Sequence, residues 1–346
     1  MDRIYDKFYL AAVVFISLLI SFSVAGIFIL IAGANPLAVY HLLFTETLGT
    51  SYGLGQVFFK ATTLIFTSLA VAFAFRGGLF NIGAEGQMNA GAFITAWVGF
   101  TFTAMPGYLL IPLSITAGFT GGALWGFIAG YLKARFGSHE VINTIMLNFI
   151  ALAVISYLVN NVYNVPATIH TPEISPSANI PRISSVLDTF YGSPFNFTFL
   201  ISLACVSLVY FILWYTPLGY EIRTVGSNIT AAGYSGMNTG LLTVITMSVA
   251  GGLAGLAGLN FVNGYKHYFE LGFAENAGYM GIAVALIARS NPWIIIPVSL
   301  FFGILDYGGL VINPIVPKDI IIVIQAAIIL FFISISAFVE SRYNVR

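Results

Sequence analysis

The chain has 346 residues, of which 58% are hydrophobic and only 8% are charged; its mean hydropathy is +0.93 and its formal net charge is zero. Soluble domains carry roughly 25% charged residues, so this composition excludes an ordinary soluble protein and indicates one that crosses a membrane several times. No basic tract indicates nucleic-acid binding, and the single Cys205 with four scattered histidines predicts neither a disulfide framework nor a metal site.

Long charge-free runs predict the membrane segments, because a helix needs roughly 20 apolar residues to cross the hydrocarbon core. Lipid offers no partner to an unpaired backbone group, so these runs are predicted to be helices. The fold class is therefore all-α, a polytopic transmembrane bundle in a single domain over residues 1–346. About ten spans are predicted, at residues 8–33, 57–75, 82–104, 108–132, 141–160, 197–216, 240–262, 277–289, 292–311 and 318–339.

The distribution of lysine and arginine predicts the orientation, because cytoplasmic loops carry an excess of both residues. With the N-terminus in the cytoplasm, nine such residues face inside and four face outside, and both termini are cytoplasmic. The inner set is Arg3, Lys7, Arg76, Lys133, Arg135, Arg223, Arg289, Arg342 and Arg346, and the outer set is Lys60, Arg182, Lys266 and Lys318.

Two long connections separate the spans. Residues 161–196 are rich in proline and are predicted to form an extended loop outside the membrane. Residues 217–239 are predicted to lie inside and to contain a short helix that Asn228 or Thr230 caps and Gly236 ends. A small capped helix in a cytoplasmic loop is typical of a docking feature for another protein; the alternative is a loop that lies on the bilayer surface.

The stretch "GLFNIGAEGQMNAGAF", residues 78–93, places four polar side chains in the third span. On a continuous helix Asn81, Glu85 and Asn89 share one face, and Gln87 points elsewhere. Glu85 lies nine residues beyond the inner boundary, about 13 Å at 1.5 Å per residue, where an ionisable group costs about 2.5–3.5 kcal/mol. The surrounding glycines predict that the third span is broken or starts here.

This stretch has two interpretations that do not exclude each other. Asn81 and Glu85 either tie a broken helix to its neighbours or line a translocation path, as discontinuous helices do in transporters. Other polar groups inside the spans are candidates for the same path, although an interhelical hydrogen bond is the more common role for each. The candidate path residues are Asn81, Glu85, Gln87, Asn89, Asn148, Asp306 and Gln325.

Glycines also recur at helical spacing. Gly118, Gly122, Gly126 and Gly130 form one stripe on the fourth span, and the seventh span has a similar pair at Gly251 and Gly255. Small residues at this spacing let two helix backbones approach closely, so these stripes are predicted to be packing faces within the bundle.

Four stretches carry a resemblance to a known family. They are "SLAVAFAFRGGLFNIGAEGQ" at residues 68–87, "FGSHEVINTIMLNFIA" at 136–151, "TPLGYEIRTVGSNITAAGYSGMN" at 216–238 and "GYMGIAVALIAR" at 278–289. The chain resembles the membrane-spanning permeases of ATP-binding-cassette (ABC) importers in the branched-chain amino acid, ribose and nucleoside permease family. Within that family it is most similar to the larger permease of bacterial nucleoside importers.

The resemblance implies a transport subunit of the bacterial inner membrane without catalytic residues of its own. It implies three kinds of partner: a cytoplasmic ABC ATPase, a second permease chain that is a shorter paralogue, and an extracytoplasmic substrate-binding lipoprotein. No cofactor is expected in this chain, because ATP is bound by the partner subunits. The residues implied in ATPase coupling are Gly219, Glu221, Arg223, Asn228, Thr230, Ala231, Ala232, Tyr234 and Met237.

Two other function classes are compatible with parts of the sequence. An ion-coupled secondary transporter would use Glu85 or Asp306 as its coupling carboxylate. An intramembrane enzyme would need a nucleophile and a base, or paired metal ligands, inside the bilayer, whereas the histidines fall in loops. The chain has no GxxxxGK[ST] phosphate loop, so any ATP-driven motor is a separate protein. Sugars, nucleobases and riboflavin-like compounds remain alternatives to a nucleoside substrate.

Overall fold

A computed structural model of the chain describes the backbone of residues 2–317 and 319–343 and the side chains of residues 15–317 and 319–335. Of the lysines and arginines that predict the orientation, Lys318 and Arg346 lie outside the described backbone, and Arg3, Lys7 and Arg342 lie outside the described side chains. The regular secondary structure of the described residues is helical, with two isolated β-bridges, His170 to Glu270 and Arg182 to Asn196. The helices are α1 (Asp2–Ile31), α2 (Pro36–Leu48), α3 (Ser51–Arg76), α4 (Ala84–Thr101), α5 (Gly107–Phe136), α6 (Glu140–Tyr157), α7 (Thr198–Tyr215), α8 (Pro217–Ser227), α9 (Ile229–Tyr234), α10 (Thr239–Gly255), α11 (Ala257–Phe261), α12 (Ala277–Ile287), α13 (Pro292–Ile312) and α14 (Asp319–Tyr343).

Length and apolar composition identify the helices that can cross a membrane. Six segments in the described part of the chain qualify, and the bent pair α1–α2 would make a seventh. Two further helices, α12 and the described part of α14, are apolar but shorter. The six are Ser51–Arg76, Gly107–Phe136, Glu140–Val162, Thr198–Tyr215, Thr239–Lys266 and Pro292–Ile312. The structure is therefore that of a polytopic helical membrane protein.

Helix α2 is an element that the sequence expectation omits, since it placed no element between residues 33 and 57. The chain bends by 116° between Phe15–Ile31 and Pro36–Leu48. The bend has a local cause: Asn35 caps α2 by accepting a hydrogen bond from the Leu37 amide over 3.0 Å, and Pro36 occupies the first helical position.

The chain forms two compact units. The first comprises residues 1–57 and 301–346, and the second comprises residues 58–300, so that the division falls within α3 and α13. In the first unit α1 packs against α14, and Gly308 leaves room for the Leu43 side chain.

Helices α5 and α10 form the closest pair in the second unit. A Cβ atom added at Gly122 would lie 2.1 Å from the Gly251 carbonyl oxygen, and one added at Gly255 would lie 2.2 Å from the Gly118 carbonyl oxygen. The two backbones are therefore too close to leave room for a side chain at either glycine. The predicted packing of the two glycine stripes is confirmed, and α4 packs against both helices.

The second unit has two ends, and at each end polar contacts hold neighbouring segments together. At one end, the α8 end, Lys133 in the last turn of α5 pairs with Glu140 at the start of α6 over 2.5 Å. At the other, the 163–196 end, the long proline-rich connection is bound to the segment after α11. The Thr171 amide donates to the Phe269 carbonyl, and the Ile180 amide donates to the Asn263 carbonyl, both over 2.9 Å. The connection is thus an ordered part of the unit that contains three short 3-10 turns.

Candidate functional site

The polar stretch of the sequence lies between α3 and the first turns of α4. Residues 77–83 are non-helical, and Gly78 has φ +70°, a left-handed conformation that glycine adopts without steric cost. The Gly83 amide donates to the Asn81 side-chain oxygen over 3.0 Å. Helix α4 then begins at Ala84 and continues to its last residue without interruption, so the glycines precede the helix and turn the chain into it.

Asn81 and Gln87 pair with each other at this turn. The Asn81 amide donates to Gln87 Oε1 over 2.8 Å, and the Gln87 amide donates back to Asn81 Oδ1 over 3.1 Å. Both side chains are buried. Each therefore satisfies the other, as buried polar groups must, and the pair fixes the position of the turn relative to α4.

Asn148 of α6 joins the start of α4 to α12. Its side-chain oxygen accepts from the Gly86 amide over 2.9 Å, and its nitrogen donates to the Ile82 carbonyl over 3.0 Å and to the Tyr279 hydroxyl over 3.1 Å. A Cβ atom added at Gly86 would lie 2.8 Å from the Asn148 oxygen. Glycine at this position is what lets the amide reach the backbone.

Glu85 lies where the starts of α4 and α12 meet. Its Oε2 accepts a hydrogen bond from the Gly278 amide over 2.7 Å. A Cβ atom added at Gly278 would lie 2.3 Å from the Glu85 nitrogen, so the two helix starts are in backbone contact. A carboxylate at two helix N-termini is favourable, because both macrodipoles place positive charge there. We call Asn81, Glu85, Gln87, Asn148 and Tyr279 the helix-start cluster.

The remaining predicted path residues lie outside this cluster. The Asn89 side chain turns back along α4 and donates to the Glu85 carbonyl over 2.8 Å. Asp306, half-buried, lies in α13, and Gln325, buried, lies in α14, both in the first unit. The structure thus brings together Asn81, Glu85, Gln87 and Asn148.

Arg76 was predicted only as one of the positive charges on the inner side. Its Nη2 donates to the carbonyls of Arg289 and Ser290 over 3.1 and 3.0 Å, and its Nε donates to the Ser290 carbonyl over 3.1 Å. These carbonyls directly follow the end of α12. The guanidinium also lies 5.1 Å from the centre of the Trp214 ring, and that of Arg223 lies 5.9 Å from the same ring. The sequence signal for Arg76 was its position at the end of an apolar run. Its partners could not be predicted, because they lie more than 130 positions away.

The predicted inner loop contains two helices, α8 and α9, separated at Asn228. Thr216 caps α8, and the Asn228 side chain caps α9 by accepting from the Ala231 amide over 3.0 Å. Gly236 ends the turn after α9 with φ +84°. The predicted short helix and its stop at Gly236 are confirmed, and of the two predicted caps the structure uses Asn228; α8 is a helix that the sequence did not predict.

The predicted coupling residues differ in exposure. Asn228, Thr230, Ala231 and Tyr234 are exposed, and Tyr234 is 90% exposed. Glu221, Arg223 and Met237 are half-buried. Gly219 and Ala232 are buried within the unit. Helix α9 therefore presents an aromatic side chain outward while Ala232 anchors its inner face.

Helix α8 touches the 77–83 connection through its backbone. A Cβ atom added at Gly226 would lie 2.2 Å from the Arg76 carbonyl oxygen and 2.8 Å from the Gly78 nitrogen. Nothing in the sequence indicates this contact, because it depends on two glycines about 150 positions apart. It places α8 directly against the segment that leads to the helix-start cluster.

The chain is similar to known membrane permeases. Residues 53–333 match the family described as branched-chain amino acid transport system / permease component. The chain is 35% identical to the nucleoside ABC transporter permease protein NupB of Lactococcus lactis subsp. cremoris over 94% of its own length and 91% of that protein. It is 34% identical to the guanosine ABC transporter permease protein NupP of Bacillus subtilis over 96% of its length and 93% of that protein.

A third relative is named for a different solute. The chain is 31% identical to a glucose ABC transporter permease protein of Haloferax volcanii over 95% of its length and 88% of that protein. No solved structure matches the chain.

Proposed function

The chain belongs to the family of permease components of branched-chain amino acid transport systems, and from this we propose that it carries nucleosides inward across a bacterial cytoplasmic membrane. As a member of that family it is a multi-pass transport subunit and not an enzyme. The observation that carries the nucleoside assignment is the match to two bacterial nucleoside and guanosine permeases along nearly the whole of both chains. The more distant glucose relative makes a sugar the principal alternative substrate.

The proposed topology follows from charge and span length. We assign about ten spans with both termini in the cytoplasm, within one permease domain over residues 1–346. The α8 end then faces the cytoplasm and the 163–196 end faces outward. The exposed Tyr234 and the capped α9 support this assignment, because a docking helix needs a fixed backbone and a free outer surface.

The proposed assembly contains proteins that this chain does not encode. A separate ATPase binds and hydrolyses ATP and docks on α8 and α9. A second permease chain, a shorter paralogue, completes the pathway, and a substrate-binding lipoprotein delivers the solute to the 163–196 end. ATP binding moves α8 and α9, and the bundle alternates between inward and outward openings.

The proposed path passes the helix-start cluster. Glu85, Asn81 and Asn148 lie where two short helix starts meet, an arrangement that transporters use to line a substrate site. The path assignment extends to Gln87, Asn89, Asp306 and Gln325. Amide and carboxylate groups bind ribose hydroxyls by hydrogen bonds, and a nucleobase stacks on aromatic rings.

Reconstitution tests the function directly. The chain is purified with the ATPase, permease and binding protein encoded beside it, and the complex is placed in liposomes. We expect nucleoside uptake and ATP hydrolysis that both depend on the loaded binding protein. Glucose in place of nucleoside is the specificity control. Uptake by this chain alone under a proton or sodium gradient would support the ion-coupled alternative and contradict the proposal.

A further inference from the structure

We propose that Arg76 and Glu85 are positioning residues that hold the two ends of α12 and make it move with residues 76–85 whenever α8 is displaced. The proposal rests on the coupling role proposed above for α8 and α9. It assigns these two residues a task beyond lining a path, and it names α12 as the element that the ATPase ultimately moves.

The two residues form hydrogen bonds at opposite ends of one helix. Helix α12 has 11 residues, about 16 Å of length. Glu85 accepts from the Gly278 amide in its first turn, and Arg76 donates to the Arg289 and Ser290 carbonyls just beyond its last turn. A negative charge at the N-terminus and a positive charge at the C-terminus both complement the helix dipole. Since the two residues are nine positions apart, one short segment holds the whole helix.

The chain on either side of α12 is sharply turned. Glu275 and Asn276, just before the helix, have φ of +44° and +66°, and Arg289 and Ser290, after it, have φ of +50° and +51°. Positive φ is uncommon for residues other than glycine, and such residues concentrate at switch regions. These pairs delimit α12 as a separate body with a turn at each end, the form that a hinged element takes.

The segment that holds α12 is itself in backbone contact with α8. Gly226 meets the Arg76 carbonyl and the Gly78 nitrogen with no room for a methyl group. Arg76 also shares the Trp214 ring with Arg223 of α8. A displacement of α8 is thus transmitted by backbone contact to residues 76–78 and by Arg76 to the end of α12. Because Glu85 joins the other end, α12 follows as a rigid body.

Hydrogen exchange on the assembled complex tests the proposal. The reconstituted importer is measured with and without ATP and vanadate, and amide exchange is followed in residues 276–290. In the native complex we expect an ATP-dependent change in this segment. In Arg76→Gln we expect α12 to exchange faster in both states, its ATP-dependent change to disappear, and nucleosides moved per ATP hydrolysed to fall about tenfold. Arg76→Lys should restore part of the coupling, because it keeps the charge at the carbonyls.

Three further variants keep the test decisive. Arg135→Gln removes an exposed positive charge at the same end of the unit and should leave α12 exchange unchanged. Gly226→Ala carries the test if Arg76→Gln does not fold, because it separates α8 from residues 76–78 while keeping the Arg76 and Glu85 side chains that hold α12. Its control is Gly240→Ala, where an added Cβ meets only ordinary contacts at 3.7 and 3.9 Å.

The outcomes separate this proposal from the function on which it rests. A persistent ATP-dependent change in α12 in both Arg76→Gln and Gly226→Ala overturns the proposal while leaving the importer assignment intact. If the native complex neither binds the ATPase nor transports nucleoside, the proposed function fails. Faster exchange of α12 in Arg76→Gln, measured without ATP, still reports whether Arg76 holds that helix.

Discussion

Asn81 and Gln87 exchange two hydrogen bonds through their side-chain amides, with each residue acting once as donor and once as acceptor. Both are 1% exposed, so water does not replace either bond when the partner is lost. The pair lies six positions apart across the turn into α4. The turn and the helix are consequently held as one piece at the start of the proposed path.

Replacing one member of this pair should destabilise the protein. We expect Asn81→Leu to lower the free energy of unfolding by about 1–3 kcal/mol, because the buried Gln87 amide loses its partner. Thermal unfolding in detergent measures the effect, with Asn160→Leu, at an exposed position, as the control. The double variant Asn81→Leu, Gln87→Leu should recover part of the loss; a double variant worse than the sum would argue against the pairing.

The α5–α10 contact should not tolerate a methyl group. Gly122→Ala places a Cβ atom 2.1 Å from the Gly251 carbonyl oxygen, which forces the two backbones apart and should cost about 1–3 kcal/mol. Gly233→Ala is the matched control, since an added Cβ there has nothing within 4 Å and alanine favours a helix. Equal melting temperatures for the two variants would contradict the packing described.

Disrupting α9 should uncouple the ATPase. The double variant Ala231→Arg, Tyr234→Glu gives two exposed side chains of α9 a charge. We expect this variant to lose substrate-stimulated ATP hydrolysis and uptake. The melting temperature of the isolated chain should stay within a few degrees of the native value, because neither side chain is buried. Tyr191→Glu, at an 85% exposed position of the opposite end, is the control. Normal stimulated hydrolysis in the double variant would remove α9 from the docking site.

His267 should make stability depend on pH. Burial lowers the pKa of its imidazole, and the positive charge of Arg182 lowers that pKa further, while Glu173 acts in the opposite sense. The pKa of His267 in the folded chain thus lies below the ordinary value of about 6.5. In the pH window between these two pKa values, the unfolded chain binds more protons than the folded chain. Stability therefore rises with pH through the window and falls as the pH drops below 6.5.

The measurement compares melting temperatures at pH 7.5 and pH 5.5. We expect His267→Asn to reduce the decrease seen in the native chain, since asparagine tolerates the φ of +66° at this position and does not titrate. His41→Asn, at an exposed position, is the control. An unchanged decrease in His267→Asn would assign the pH dependence to other groups.

The sequence was informative where a signal is local. Apolar run length indicated the helical class, the glycine spacing indicated the α5–α10 contact, and Asn228 and Gly236 marked the limits of α9. Helix α2 was overlooked, although Asn35 and Pro36 form a recognisable start, because a search for spans ignores a short bent partner helix.

The site was less accessible to such reasoning because its contacts join distant parts of the chain. The polar residues near position 85 were found, since an ionisable group inside an apolar run is conspicuous. Their partners were not: the bonds from Glu85 to Gly278 and from Arg76 to Ser290 span about 200 positions. Helical periodicity also placed Asn81 and Gln87 on different faces, whereas Asn81 precedes α4 and turns back to meet Gln87.

The glycine contact between α5 and α10 also constrains biosynthesis. Residues 118–130 leave the ribosome more than 100 positions before residues 243–255, and α6 and α7 are synthesised between them. During that interval α5 packs against α4 but lacks α10, and the contact between the two glycine stripes forms only when α10 enters the bilayer. Truncated chains that end before α10 should therefore be the forms that membrane quality-control proteases degrade.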